Sequence, residues 1–97
     1  MEKVRYHFFV SGLVQGVFFR AETRAKAIQH GVTGWVKNLA DSRVEVMAEG
    51  EKEEVEKLVE FCQDGPPGAK VIRVELKEEK HLGKFDKFVI KYSSYHP

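Results

Sequence analysis

The sequence predicts an α+β fold in which two helices cover one face of a mostly antiparallel sheet. Several short segments alternate apolar and polar residues, as half-buried strands do. Two other segments place apolar residues at helical spacing and therefore carry one apolar stripe each. These segments follow one another in the order β-α-β-β-α-β, with one further strand at the end. Two one-sided helices bury both stripes when they pack on the same face of the sheet.

The first half of the chain predicts a strand, a helix and a second strand. Apolar residues alternate with polar ones from Val4 to Val10, which predicts a strand with one apolar face. The helix that follows has a stripe made of Phe19, Thr23, Ala27 and His30. Gly31 is placed to end this helix. A second strand is expected at 34–39.

The second half predicts two more strands, a helix and a final strand. After a turn at Asp41-Ser42, the third strand alternates from Val44 to Ala48, and Gly50 is expected to end it. Acidic residues at 51–54 favour a helix start, and the stripe of that helix consists of Val55, Leu58, Val59 and Cys62. A loop at 64–68 precedes a fourth strand that has Ile72, Val74 and Leu76 on its apolar face, and the last strand carries Phe88, Ile90 and Tyr92. This order is the ferredoxin-like arrangement, which hosts many unrelated functions.

Length and composition restrict the possible functions. The 97 residues predict a single domain over 1–97, and the net charge of +1 is less basic than a duplex-binding module usually shows. No apolar stretch is long enough to span a membrane, and the N-terminus lacks the apolar core of a signal peptide. We therefore expect a cytoplasmic monomer without a nucleic-acid or membrane partner. Cys62 is the only cysteine, so no intramolecular disulfide forms.

The segment from Val10 to Arg20 is the strongest candidate for a functional site. It leads from a strand through a loop with Gly12 and Gly16 into a helix N-terminus. Such a loop aims several backbone N–H groups at one point, where the helix dipole adds positive charge. Arg20 adds a planar fork of donors, so we expect a phosphate-sized anion there. The alternative from local sequence alone is that both glycines only shape a turn and Arg20 lies on a solvated helix surface.

A second segment, Gly34-Trp35-Val36-Lys37-Asn38, follows the first helix. Together the two segments resemble the motifs of the acylphosphatase family. The first family motif is matched by Gly12, Val14, Gln15, Gly16, Val17, Phe19 and Arg20. The second is matched by Gly34, Trp35, Val36, Lys37, Asn38, Val44 and Gly50. The element order and chain length also match, so the resemblance covers essentially the whole chain.

The resemblance implies a hydrolase that splits a carboxyl–phosphate anhydride of a small acyl phosphate into a carboxylate and inorganic phosphate. The phosphate would lie in a backbone cradle formed by Gln15, Gly16, Val17, Phe18, Phe19 and Arg20. Arg20 would bind its oxygens, and Asn38 would orient the attacking water. Inorganic phosphate would be both product and inhibitor. We expect no cofactor and no metal. The family usually has glycine at the position of Ser42 and an aliphatic residue at that of His30, and its tail after Tyr92 is shorter.

Other chemistry-bearing residues have simpler interpretations. The histidines show no metal-ligand spacing and there is no second cysteine, which counts against a zinc site. Phe19, Trp35 and Cys62 are expected in the core. Alternation places Lys37 on the opposite side of its strand from Asn38.

Two other functions remain open from sequence. One is an RNA-binding module of the same fold, but such modules carry stacking aromatic residues on a central strand, and 43–49 contains none. The other is a module that binds a phosphate ester without turnover, which only an activity measurement separates from the enzyme.

Overall fold

A computed structural model describes residues 2–92 of the chain. The elements in chain order are β1 (Lys3–Leu13), α1 (Phe19–Gln29), β2 (Thr33–Asn38), β3 (Val44–Glu51), α2 (Lys52–Asp64), β4 (Lys70–Glu79) and β5 (Phe88–Ile90). The strands form one sheet in the order β4-β1-β3-β2-β5, antiparallel except for the parallel pair of β2 and β5. This confirms the predicted ferredoxin-like fold. His96 and the rest of the tail beyond Tyr92 lie outside the described residues. Within 2–92, neither helix has the length and apolar character of a membrane span.

The core lies between the two helices and one face of the sheet. Helix α1 buries Phe19, Thr23 and Ala27, and α2 buries Val55, Leu58, Val59 and Cys62, as their stripes predict. The thiol of Cys62 contacts the Thr23 hydroxyl across the helix pair, at 3.7 Å. Burial raises the pKa of this thiol to about 12, so Cys62 is an un-ionised core residue.

The C-terminus of α1 is joined to α2 by a polar contact. Gly31 follows the helix with a φ of 67°, which suits its predicted role as the stop. His30, in the place of an aliphatic residue, lies 2.8 Å from the Glu54 carboxylate through Nδ1. That hydrogen bond is the main reason why the pKa of Glu54 is lowered.

Two strand predictions were wrong in detail. Strand β3 continues through Gly50 to Glu51 rather than ending there. In β4, Ile72 does not share the core face, because a bulge interrupts its pairing with β1. Gly12 pairs with Val71 while Ser11 pairs with Arg73, so Ile72 is the extra residue and its side chain is 77% exposed. A Cβ at Gly12 would lie 2.1 Å from the Lys70 carbonyl oxygen, so this close approach requires glycine.

The face of the sheet opposite the helices carries paired polar groups and the aromatic side chains of Phe9 and Trp35. Trp35 is half-buried on this face rather than in the core, with the amines of Lys37 and Lys91 at 5.4 Å and 4.8 Å from the ring centre. Lys37 also lies 3.8 Å from a Glu45 carboxylate oxygen. The side of Lys37 was therefore predicted correctly and that of Trp35 was not, since alternation does not say which face the helices cover.

A buried carboxylate anchors the connection that leads into β5. Glu49 is 1% exposed and accepts hydrogen bonds from the backbone N–H groups of Leu82 at 2.7 Å and Gly83 at 3.1 Å. The Arg5 guanidinium lies 3.6 Å from the same carboxylate and supplies the opposite charge. A buried charge is tolerated when it is paired and hydrogen-bonded in this way.

The turn between β2 and β3 holds Ser42 in a left-handed conformation. The Leu39 N–H donates to the Arg43 carbonyl at 2.8 Å, and the Ser42 N–H donates to the Leu39 carbonyl at 3.2 Å. Ser42 has a φ of 81°, the positive value expected at the last position of a three-residue hairpin loop. Among residues 2–92, no partner hydrogen-bonds to its hydroxyl group.

We predict that Ser42→Gly stabilises the protein by roughly 0.5–1 kcal/mol, because glycine adopts positive φ without the steric cost that serine carries. Urea unfolding of the two proteins measures the difference. Ser42→Ala keeps the strain and is the matched control, with a free energy of unfolding close to that of the parent. A destabilised Ser42→Gly protein would show that serine stabilises this turn.

Candidate active site

The loop between β1 and α1 alternates backbone handedness. Gly16 has a φ of 76° and Phe18 a φ of 60°, while Val17 between them is not among the positive-φ residues. Successive N–H groups in such an alternation point towards one side and form a concave site for anions. A Cβ at Gly16 would meet no atom within 4 Å, so glycine is required here by conformation and not by crowding.

The N–H groups at the start of α1 have no acceptor among the described residues. Phe18 occupies the N-cap position, and no side chain caps the helix. Within residues 2–92, neither a carbonyl nor a side chain accepts a hydrogen bond from the N–H groups of 16–20. The partial positive charge of the helix N-terminus lies at the same place. This cluster of free donors suits an anion such as phosphate.

Arg20 and Asn38 line one pocket of about 300 Å³ at the mouth of this loop. The remaining walls come from the loop, the first turn of α1 and the end of β5, and none of the lining residues within 2–92 is acidic. The Arg20 guanidinium lies 5.3 Å from the centre of the Tyr92 ring, in a cation–π contact. No carboxylate of the described chain forms an ion pair with Arg20, so its charge is available to a ligand.

Asn38 reaches the pocket because it is the last residue of β2 on the helix side of the sheet. Gly34 and Val36 are buried on that side, and alternation continues it to Asn38. The Oδ1 atom of Asn38 is buried and has no hydrogen-bond partner among residues 2–92. A buried acceptor without a donor is costly and uncommon, which makes Asn38 a candidate to bind a water or a substrate group.

Gln15 joins the loop to the β2–β3 turn through its side chain. Its Nε2 donates to the carbonyl oxygen of Leu39 at 2.8 Å and to that of Arg43 at 2.9 Å. Since both partners are acceptors, only the amide nitrogen fits this position. The brace was not predicted: both partners are main-chain carbonyls 24 and 28 residues further along the chain, and no sequence pattern marks such contacts.

The structure brings most of the predicted site residues to the pocket. Its lining includes Gly16, Phe18, Phe19, Arg20 and Asn38. The Phe19 side chain is in the core at 2% exposure, so this residue can reach a ligand mainly through its backbone. Gln15 and Val17 do not line the pocket, and Val17 packs against the core instead.

Sequence reasoning missed the wall that β5 contributes. Ile90 and Tyr92 line the pocket opposite the loop. The available signal was the alternation of Phe88, Ile90 and Tyr92, which places all three on the helix side. The pairing of β5 beside β2 then brings them next to Asn38, and that pairing is not readable from the sequence. Within 2–92, no group of three or more His, Cys, Asp or Glu side chains is placed to hold a metal ion.

Comparison with known proteins identifies the family. The family model described as Acylphosphatase matches residues 6–90. The chain belongs to the acylphosphatase family. It is 48% identical over 92 residues to an acylphosphatase of Pelotomaculum thermopropionicum, a match that covers 95% of this chain and 100% of that protein. The resemblance inferred from the two motifs is thereby confirmed.

Solved structures of the family have the same architecture. An acylphosphatase from Bacillus subtilis superposes with a TM-score of 0.88 at 37% identity, over 92% of this chain and 99% of that one. One from Coxiella burnetii has a TM-score of 0.86 at 40% identity, over 92% and 93% of the two chains. Members of the acylphosphatase family hydrolyse acyl phosphates.

We predict that Gln15→Met, which keeps the side-chain length and removes the donors, destabilises this acylphosphatase-family protein by about 1–2 kcal/mol. The turnover number should fall roughly tenfold or more, because Asn38 adjoins the turn that Gln15 holds and small misplacements of reacting groups are costly. Urea unfolding and steady-state kinetics measure the two effects. Gln15→Glu, which directs a carboxylate at two carbonyl oxygens, should lower both the free energy of unfolding and the turnover number further. Unchanged stability and turnover in Gln15→Met would exclude a bracing role.

Proposed function

We propose that this protein hydrolyses small acyl phosphates to a carboxylate and inorganic phosphate by direct attack of water. The observation that carries the proposal is the meeting of three features in one pocket. These are the backbone N–H groups at 16–20, the guanidinium of Arg20 and the buried oxygen of Asn38, none of which has a hydrogen-bond or ion-pair partner among residues 2–92. Membership of the acylphosphatase family supports the same reaction.

The phosphate group binds at the start of α1. The N–H groups of Gly16 to Arg20 donate to its oxygens, and the Arg20 fork binds two of them. Tyr92 stacks on the guanidinium and limits its orientations, since their separation is 5.3 Å. Donors fixed before the reaction need no reorganisation when charge spreads over the phosphate oxygens in the transition state.

Asn38 positions the nucleophile. Its Oδ1 accepts a hydrogen bond from a water molecule and holds the water oxygen in line with the phosphorus. As the water oxygen bonds to phosphorus, the bond from phosphorus to the acyl oxygen breaks and its electron pair leaves with the carboxylate. An amide is no base at neutral pH, so the proton of the water passes to a phosphate oxygen of the substrate itself.

The leaving group explains why so few residues suffice. A carboxylate is a weak base and departs without protonation by a general acid. Phosphoryl transfer passes through a loose transition state in most analyses, so catalysis is mainly positioning and charge stabilisation. On this proposal the reaction uses no metal and no cofactor, because Arg20 and the backbone donors meet the charge that a cation would otherwise neutralise.

The product and the setting belong to the same proposal. Inorganic phosphate fits the cradle that binds the substrate phosphate and would act as a competitive inhibitor. We further propose a monomer that acts in the cytoplasm without a nucleic-acid or membrane partner. The net charge of +1 over the chain supports the absence of a nucleic-acid partner. Size-exclusion chromatography tests the monomer directly.

The decisive assay is hydrolysis of benzoyl phosphate followed by ultraviolet absorbance, with and without excess EDTA. Equal, enzyme-dependent rates in both conditions support the proposal. Binding of inorganic phosphate without any turnover would instead identify a module that binds phosphate esters. A loss of activity in EDTA that Mg²⁺ restores would contradict the metal-free mechanism.

We predict that Arg20→Lys lowers kcat/KM about 10²-fold and loses most of the affinity for phosphate, because lysine keeps the charge and loses the planar fork. Steady-state kinetics and inhibition by phosphate measure both effects, and circular dichroism checks the fold. Arg73→Lys, at an exposed arginine of β4 outside the pocket, is the matched control and should leave phosphate inhibition unchanged. A folded Arg20→Lys protein with parental kinetics would contradict the assignment.

We predict that Asn38→Ala lowers kcat about 10²-fold while the inhibition constant of phosphate stays within about threefold, because Asn38 holds the water and not the anion. The split between turnover and phosphate inhibition is the readout. If phosphate inhibition weakens and kcat is retained, Asn38 is an anion-binding residue instead.

A further inference from the structure

Phe18 is a large apolar side chain that the fold does not bury. It is 82% exposed, whereas its neighbour Phe19 is 2% exposed. Its backbone has a φ of 60° and a ψ of 22°, a left-handed conformation that is unfavourable for any residue with a Cβ. Neither packing nor backbone preference accounts for phenylalanine here. An exposed aromatic residue held in a strained conformation beside a binding pocket indicates a functional role.

The pocket beside Phe18 is larger than a phosphate group, and apolar side chains form most of its wall. Its volume is about 300 Å³, and the polar side-chain groups among its described lining residues are those of Arg20 and Asn38 and the hydroxyl group of Tyr92. The other lining side chains are apolar or aromatic, with Phe18 on the loop and Ile90 and Tyr92 at the end of β5. A phosphate held by the loop therefore leaves the rest of its molecule among these side chains.

An exposed apolar side chain does not by itself mark the pocket. Leu13, at the end of β1, is also an exposed apolar residue at 59%, but it does not line the pocket. Tyr92 is 74% exposed and lines the pocket with Phe18. The Tyr92 ring already contacts the Arg20 guanidinium. A substitution of Phe18 removes an aromatic side chain from the pocket and leaves that cation–π contact in place.

We propose that Phe18, together with Tyr92, forms a subsite for the acyl group that favours apolar and especially planar aromatic acyl phosphates. The inference rests on the proposed function, since it places the phosphate in the cradle and the acyl group beyond it. The ring of an aromatic acyl group contacts Phe18 over a larger area than the methyl group of an acetyl group does. Pairs of aromatic rings also attract each other more strongly than the burial of their surface alone explains. Phe18 is thus a specificity residue through its side chain, in addition to the donor role of its backbone.

Kinetics with a matched pair of substrates test the subsite. The readout is the ratio of kcat/KM for benzoyl phosphate to that for acetyl phosphate, because the ratio cancels effects on the shared phosphate site. We expect this ratio to fall about tenfold in both Phe18→Ala and Phe18→Gly, the second of which also removes the backbone strain. Phe18→Tyr should retain the ratio. Leu13→Ala is the control for an exposed apolar residue outside the pocket and should also retain it.

A binding measurement makes the test independent of turnover. Isothermal titration with benzylphosphonate and methylphosphonate, whose P–C bonds resist hydrolysis, should show tighter binding of the aromatic probe, and Phe18→Ala should abolish most of that difference. An unchanged kinetic ratio and unchanged phosphonate preference in Phe18→Ala would overturn the subsite. The proposed function would then still stand if acetyl phosphate is hydrolysed. Failure of the parent protein to hydrolyse either acyl phosphate would overturn the proposed function as well.

Discussion

The two hydrogen bonds from the Gln15 side chain connect the halves of the pocket. The anion-binding loop follows β1, whereas Asn38 lies at the end of β2, and these strands are separated in the sheet by β3. One amide group spans this gap because it donates to the carbonyls of Leu39 and Arg43 at 2.8 Å and 2.9 Å. The distance between the loop and Asn38 is thereby tied to a turn that carries a strained Ser42. Catalysis by positioning is sensitive to such a distance.

Buried residues fix the positions of the remaining walls of the pocket. Phe19 begins α1 and is 2% exposed, so the core sets where the free N–H groups of the first turn point. On the other side, the Arg24 Nε donates to the Phe88 carbonyl at 3.2 Å and fixes β5 against α1. Glu49 anchors the loop that leads into β5. The pocket is therefore assembled from backbone and side chains that the core holds, which suits preorganised electrostatic stabilisation.

Sequence patterns predicted the element order and both helix stripes, because these depend on local periodicity. They did not predict the features that depend on how the strands pair and on which face of the sheet the helices cover. Ile72 does not lie on the core face, because β4 has a bulge opposite Ser11 and Gly12. Trp35 lies on the face of the sheet that the helices do not cover. Of the site, the cradle and Asn38 were predicted from two motifs. The Gln15 brace and the β5 wall were not, since they depend on contacts between segments far apart in the chain.

We propose that the backbone N–H groups at the start of α1 bind the phosphate. Titration of inorganic phosphate into ¹⁵N-labelled protein, followed by amide chemical shifts, tests it most directly, with sodium chloride at matched ionic strength as the control. We expect saturable shifts that are largest at the amides of residues 16–20 and absent with chloride. Shifts spread over the surface, or equal shifts with both salts, would contradict it.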